Sequence, residues 1–229
     1  MLVGGFGTGK TEIAVSLARR LAASAYEPHL IDLDIVTPYF RPRDIRDELE
    51  ADGVRVVAPE GDVGKSPLPA VTAHAPQLLA RAAAGEATVI VDPGGEASGA
   101  GVIRSLVGHR EGSRLLMAYV LNAHRESYSG DRAQATRRTI EDASGLTLTH
   151  LISNTHLGRE TAQDTVLQGL SWAREIADAW ELPLLCVGCP KTLLEAVSGH
   201  VPDLPILPIS PSLGLPWDDP RGPSDVRSR

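Results

Sequence analysis

Two kinds of segment take turns along this chain. Short apolar runs at residues 29–34, 54–58, 88–92, 115–121, 148–153, 184–187 and 206–209 read as buried strands, because a strand covered on both faces need not alternate polar and apolar positions. Between them lie stretches whose apolar residues recur three and four apart, the spacing of a helix with one buried face. Ile13, Ala14, Leu17 and Leu21 mark such a face over residues 11–23, and further helices are expected over 43–51, 70–84, 131–143, 161–181 and 193–197. Strand and helix in alternation, joined by short connections, predict one α/β domain over residues 1–210: a mostly parallel β-sheet with helices on both faces. After Ser210 the chain becomes rich in Pro, Gly and Asp, so residues 211–229 are expected to form a mobile tail.

The connection before the first helix carries the chemistry. Gly4-Gly5-Phe6-Gly7-Thr8-Gly9-Lys10-Thr11 fits G-x-x-x-x-G-K-[ST] at every fixed position, and apolar Met1-Leu2-Val3 precedes it. Its glycines allow backbone angles closed to other residues, so successive N–H groups can turn inward around phosphate oxygens at a helix start. Lys10 is expected on the β- and γ-phosphates and Thr11 on the Mg²⁺ that they carry. We therefore expect a P-loop NTPase whose nucleotide touches Gly5, Phe6, Gly7, Thr8, Gly9, Lys10, Thr11 and Glu12. Three residues before the loop make a short first strand, or one that begins upstream.

Composition narrows the partners. The 229 residues carry a net charge of -7, with 22 Lys+Arg scattered along the chain. General nucleic-acid binding needs clustered positive charge, so it is not expected. No apolar run reaches membrane length, and the phosphate loop stands where a signal peptide would, which makes the cytoplasm the default compartment. Cys186 and Cys189 are the two cysteines. Alone they make half of a metal site or a redox pair, against the plainer reading of packing at a strand end. The seven histidines show no compact ligand spacing.

In parallel sheets ligands sit beyond the carboxyl ends of the strands, so polar residues there are read for function first. Asp92 closes an apolar strand and Gly95 follows three residues later, the D-x-x-G arrangement of a Mg²⁺ and γ-phosphate sensor. Asp32 and Asp34 share one side of a strand end, and two neighbouring carboxylates call for a cation or water between them. Asp32 is assigned with Thr11 and Asp92 to the metal, Asp34 to orienting the attacking water, and Lys10 with Asp34 to catalysis. Asn154 is the expected base contact and Asn122 a weaker one. Leu157 stands where N-K-x-D would place its guanine-reading carboxylate, and leucine accepts no hydrogen bond, so ATP is favoured over GTP.

These motifs together look like the MinD/ParA/nitrogenase-iron-protein class of P-loop proteins. More narrowly, Gly7-Thr8-Gly9-Lys10-Thr11-Glu12-Ile13-Ala14, the run from Asp32-Leu33-Asp34-Ile35-Val36-Thr37-Pro38-Tyr39-Phe40 to Arg41-Pro42-Arg43, and Ser153-Asn154-Thr155 resemble a CobQ/CobB/MinD/ParA-like nucleotide-binding family. The resemblance implies ATP-driven homodimerisation, with Asp34 activating water and Asp32 and Asp92 near Mg²⁺. The class often has lysine at the second loop position, reaching into the partner subunit's site, and here that position is Gly5. Arg41 or Arg43 is the alternative source of such a charge, and a protein or metabolite partner is expected near Pro38, Tyr39, Arg41 and Arg43.

The expected function is a Mg²⁺-dependent ATPase acting as a switch. Three rivals share its phosphate site: a small-molecule kinase or ATP-dependent ligase, a GTPase assisting metal or cofactor insertion, and a nucleotide-sensing module without turnover.

Overall fold

The apolar runs pair in parallel. The computed structural model describes residues 1–34, 41–58, 74–107 and 115–210. Among these residues the strands are β1 (Leu2–Val3), β2 (Pro28–Asp32), β3 (Arg55–Val57), β4 (Thr88–Asp92), β5 (Ala118–Leu121), β6 (His150–Ser153), β7 (Leu184–Pro190) and β8 (Ile206–Ile209). The helices are α1 (Lys10–Ala23), α2 (Arg46–Ala51), α3 (His74–Ala84), α4 (Glu96–Val107), α5 (Gly130–Ser144), α6 (Gln163–Trp180) and α7 (Leu194–Ser198). Pro38, Tyr39 and the expected tail over 211–229 lie outside the described residues, as do the first residues of the helix expected over 70–84.

Hydrogen bonding orders the strands as β1-β5-β6-β7-β8 and β3-β2-β4, every pairing parallel. β4 lies beside β1 and brings the two sets edge to edge. The chain leaves β1 for β2 and β3 on one side, returns through β4, then continues to β5 on the other. That reversal opens a crevice above the carboxyl end of β1.

Alternate residues of each strand serve opposite faces. Val3, Ile31, Val91, Tyr119 and Leu151 pack with Ile103 of α4, Ile140 of α5 and Trp172 of α6. Leu2, Leu30, Ile90, Val120 and Ile152 pack with Ile13 and Ala14 of α1 and Leu49 of α2. Helices thus cover both faces, as the sequence pattern predicts. A smaller cluster joins Val166 and Leu170 of α6 to Val187 and to Val197 of α7.

One helix departs from the pattern. Residues 96–107 contain Gly99 and Gly101, and glycine weakens an isolated helix by about 1 kcal/mol each. Burial of Ile103, Leu106 and Val107 holds α4 in place, while a Cβ at Gly99 would collide with the Pro93 carbonyl. Glycine there is the condition for the chain to turn straight from β4 into α4.

Candidate nucleotide site

The loop between β1 and α1 has the backbone that its glycines allow. Gly4, Gly7 and Gly9 have φ of 145°, 74° and 84°, and Gly9 caps α1 in the left-handed conformation without a side-chain bond to the first turn. The N–H groups at the start of α1 are therefore presented to a ligand. Gly4 is held by proximity, since a Cβ would stand 2.7 Å from the Val120 carbonyl of β5. Thr8 is fully buried and its hydroxyl donates to the Gly5 carbonyl at 3.0 Å, bracing the loop from within. Lys10 is buried as well, its Nζ donating to the Gly5 and Gly4 carbonyls at 2.8 and 3.2 Å.

Asp92, at the end of β4, is fully buried beside the Thr11 hydroxyl. Burial pushes its pKa up to about 6; Thr11 and then Lys10 oppose the rise, while Asp32 and Asp34 add to it. The Thr11 hydroxyl stabilises its charged form, and neither carboxylate oxygen meets a hydrogen-bond partner of good geometry among the described residues. An orphaned buried carboxylate next to a hydroxyl is a fitting donor pair for Mg²⁺, which takes oxygen ligands and keeps several waters. Thr11 and Asp92 thus offer open oxygen ligands to such an ion.

Asp32 does not. It accepts from Arg43 at Oδ2 (Nε 2.7 Å, backbone N 3.2 Å) and at Oδ1 (Nη2 2.9 Å), and Oδ1 also takes the Asp34 N–H at 3.1 Å. Those four bonds use the roughly four lone-pair sites of a carboxylate. From the sequence Asp32 is expected at the metal; in the structure its charge is balanced by an arginine eleven residues on, in a pair with side chains 12% and 0% exposed. Arg43 Nη2 also donates to the Asp34 carbonyl at 2.7 Å, so the pair fixes the backbone that carries Asp34. Arg41 is engaged locally, with Asp44 at 3.4 Å.

Asp34 is buried and lines the cleft. Its carboxylate lies against Gly94, where φ is 79° and a Cβ would sit 2.8 Å from the Asp34 Cγ. Gly95 lines the same wall with Phe6, whose exposed ring comes 3.5 Å from the Gly95 Cβ direction. The cleft occupies about 750 Å³ and runs from these residues past Glu12, Thr11 and Gly9 to Gly188, Lys191 and Thr192 beyond β7. That volume suits a nucleotide-sized ligand.

Asn154 is buried at the end of β6. Its Nδ2 donates to the Thr8 carbonyl at 2.8 Å, and its Oδ1 faces Gly188, where a Cβ could not fit. Asn154, expected as a base contact, lines the cleft, and its Nδ2 fastens the phosphate loop to the end of β6. Asn122 shapes the turn after β5 instead, its Oδ1 accepting the His124 N–H at 3.1 Å. Leu157 is half exposed and is not part of the cleft wall; His156, Gly158, Arg159 and Thr161 take that place.

Sequence reasoning passed over Arg125, His156 and Lys191. All three follow the carboxyl ends of β5, β6 and β7, and that position was the available signal. Burial lowers the His156 pKa, and Arg125 and His124 lower it further. Cys186 and Cys189 are free thiols; burial pushes Cys186 up to about 11 and raises Cys189, which keeps both neutral. No group of three or more potential His, Cys, Asp or Glu ligands occurs among the described residues. No helix there is long and apolar enough to cross a membrane.

Sheet order, glycine loop and the acid at the end of β4 together define a phosphate-loop α/β fold. Among solved structures the chain is similar to FtsY from Mycoplasma mycoides, at 16% identity and a TM-score of 0.54, over 82% of this chain and 58% of that one. It is likewise similar to cell division protein FtsY from Thermotoga maritima, at 20% identity and a TM-score of 0.55, over 82% and 60%. The chain thus spans less than two thirds of either protein's length. No family model matches it, and a search of curated proteins finds no match.

Proposed function

We propose that this protein is a Mg²⁺-dependent nucleoside triphosphatase working as a switch between nucleotide-bound states. The observation that carries the reading is Asp92 at the end of β4, whose buried carboxylate has no hydrogen-bond partner among the described residues and sits next to Thr11 of the phosphate loop. Thr11 and Asp92 would hold Mg²⁺, and the ion supplies neutralisation of phosphate charge. The loop N–H groups bind phosphate oxygens, and Lys10 exchanges its contacts with the Gly4 and Gly5 carbonyls for the terminal phosphates. Asp34, its backbone fixed by Asp32 and Arg43, accepts the proton of the attacking water. Gly95 offers its N–H to the γ-phosphate.

The expected preference for ATP rests on Leu157 standing in the sequence where a guanine-reading carboxylate would be needed. Leu157 is exposed and outside the cleft wall, so direct competition between ATP and GTP decides the base. ATP-driven dimerisation and membership of the MinD/ParA class rest on the motif resemblance alone, and sedimentation with and without nucleotide tests the dimer.

The test is a melting panel of ATP, ADP, GTP and GDP with Mg²⁺, followed by phosphate release on each binder. A ligand at 100 times its Kd adds about 2.7 kcal/mol, or about 5 to 11 °C in Tm at this size. Lys10→Ala is expected to lose most of that shift. Flat melting across all four nucleotides at millimolar concentration overturns the reading.

A further inference from the structure

Arg125 stands over the phosphate loop. A Cβ placed on Gly7 would meet its Nε at 3.1 Å and its Cζ at 3.3 Å, so the guanidinium lies directly against the middle of the loop. The side chain lines the nucleotide cleft, is exposed, and has no hydrogen-bond or ion-pair partner among the described residues. It also lies near His156, which lines the cleft and whose pKa it lowers.

The turn that presents Arg125 is built for rigidity. Glu126, the next residue, is buried beneath it and accepts the Tyr119 hydroxyl at 2.6 Å and the Asn122 N–H at 3.2 Å. The Arg125 and Glu126 N–H groups both donate to the Asn122 carbonyl, and the Tyr128 N–H donates to the Ala123 carbonyl. Ser127 and Tyr128 then hold φ of 55° and 51°, a left-handed conformation that strains residues other than glycine. Thr155 accepts the Ala123 N–H at 3.1 Å and ties the turn to the end of β6. A strained, anchored turn thus aims an unpartnered arginine at a phosphate cradle.

Its side of the loop selects which phosphates it can reach. β1 is flanked by β4 and β5. Asp92, Gly94, Gly95 and Asp34 gather on the β4 side, and Phe6 faces them. Arg125 belongs to the β5 side, and Gly7 faces it. The Mg²⁺ and the terminal phosphate belong with the carboxylates.

We propose that Arg125 binds the inner phosphates, α and β, of the nucleotide from the β5 side, acting in affinity for diphosphate and triphosphate alike rather than in hydrolysis. Its assignment rests on the nucleotide-binding reading above. Arginine suits the place because its planar fork engages two phosphate oxygens at once, where lysine offers a point charge.

The experiment measures Kd for the diphosphate and the triphosphate of the preferred base, with Mg²⁺, on wild type, Arg125→Gln and Arg125→Lys. Single-turnover hydrolysis at saturating nucleotide and unliganded Tm are read on the same preparations. We expect Arg125→Gln to weaken both nucleotides by about tenfold or more, in equal measure, as loss of a charge-assisted contact does. Arg125→Lys should show a smaller loss, and the single-turnover rate and unliganded Tm should stay at wild-type values. Equal wild-type and Arg125→Gln affinities overturn the assignment. A loss confined to the triphosphate, or a fall in the single-turnover rate, moves Arg125 to the terminal phosphate and also overturns it. A wild-type protein that binds no nucleotide would instead fail the nucleotide reading itself.

Discussion

Asn154 reaches 146 residues back along the chain to donate from Nδ2 to the Thr8 carbonyl at 2.8 Å. The end of β6 thereby holds the phosphate loop in position, and both groups are buried. Asn154→Ala leaves a buried carbonyl without its donor, so we expect a loss of about 1 to 3 kcal/mol in denaturant unfolding, with weaker nucleotide binding. Asn154→Asp places an oxygen against that carbonyl and should cost more at neutral pH than at pH 4. Wild-type unfolding and affinity in both variants would remove Asn154 from its positioning role.

The Arg43–Asp32 pair is the second internal brace. Breaking a buried pair from one side strands a charge, so Arg43→Ala is expected to lower stability by about 3 to 5 kcal/mol. Asp32→Asn, which keeps the shape and removes the charge, should cost less. Urea midpoints for the two single variants and the double variant separate pairing from packing: near-additive losses would mean that the two side chains do not depend on each other.

Asp92 ties stability to pH in the metal-free protein. Its folded pKa, about 6, is raised above the ordinary value of 3.8, so the folded state holds a proton that the unfolded state releases earlier. Stability from this group is full at low pH, declines as pH rises from about 4 to about 6, and is flat above; the span corresponds to about 3 kcal/mol. Asp92→Asn should erase that decline and abolish Mg²⁺-dependent triphosphate binding. Unfolding free energies of wild type and variant, both in chelator, are compared between pH 4.5 and 7.5. Parallel curves would refute the assignment of this pH dependence to Asp92.

Asp34 separates binding from chemistry. Its carboxylate lies against Gly94, while the phosphates are carried by the loop amides, Lys10 and Thr11. Asp34→Asn is expected to keep nucleotide and Mg²⁺ affinity and to lower single-turnover hydrolysis by about 10² or more. Unchanged hydrolysis excludes it as the water-orienting group; lost affinity moves it to the metal.

The sequence by itself determined the parallel α/β layering, because strand runs covered on both faces and helices with one apolar stripe leave few other ways to bury their surface. It also determined the loop: residues 4–11 need no distant contact to show that glycine angles, a lysine and a threonine are set for phosphate. Tertiary structure alone decided who partners whom. Asp32 and Asp92 end adjacent strands, Asp32 on β2 and Asp92 on β4, and read alike along the chain. Arg43 satisfies one and leaves the other open to a cation. Asn154 reads as a base contact along the chain, and only folding brings the Thr8 carbonyl to its Nδ2. Arg125 has no motif around it and gains meaning only because β5 pairs with β1. Helix α4, with glycines that argue against it locally, forms because Ile103 and Leu106 are buried against strands distant in sequence. Local pattern fixes backbone preference and which faces are apolar; the neutralisation of a buried charge depends on groups that only the completed fold brings within a few ångströms.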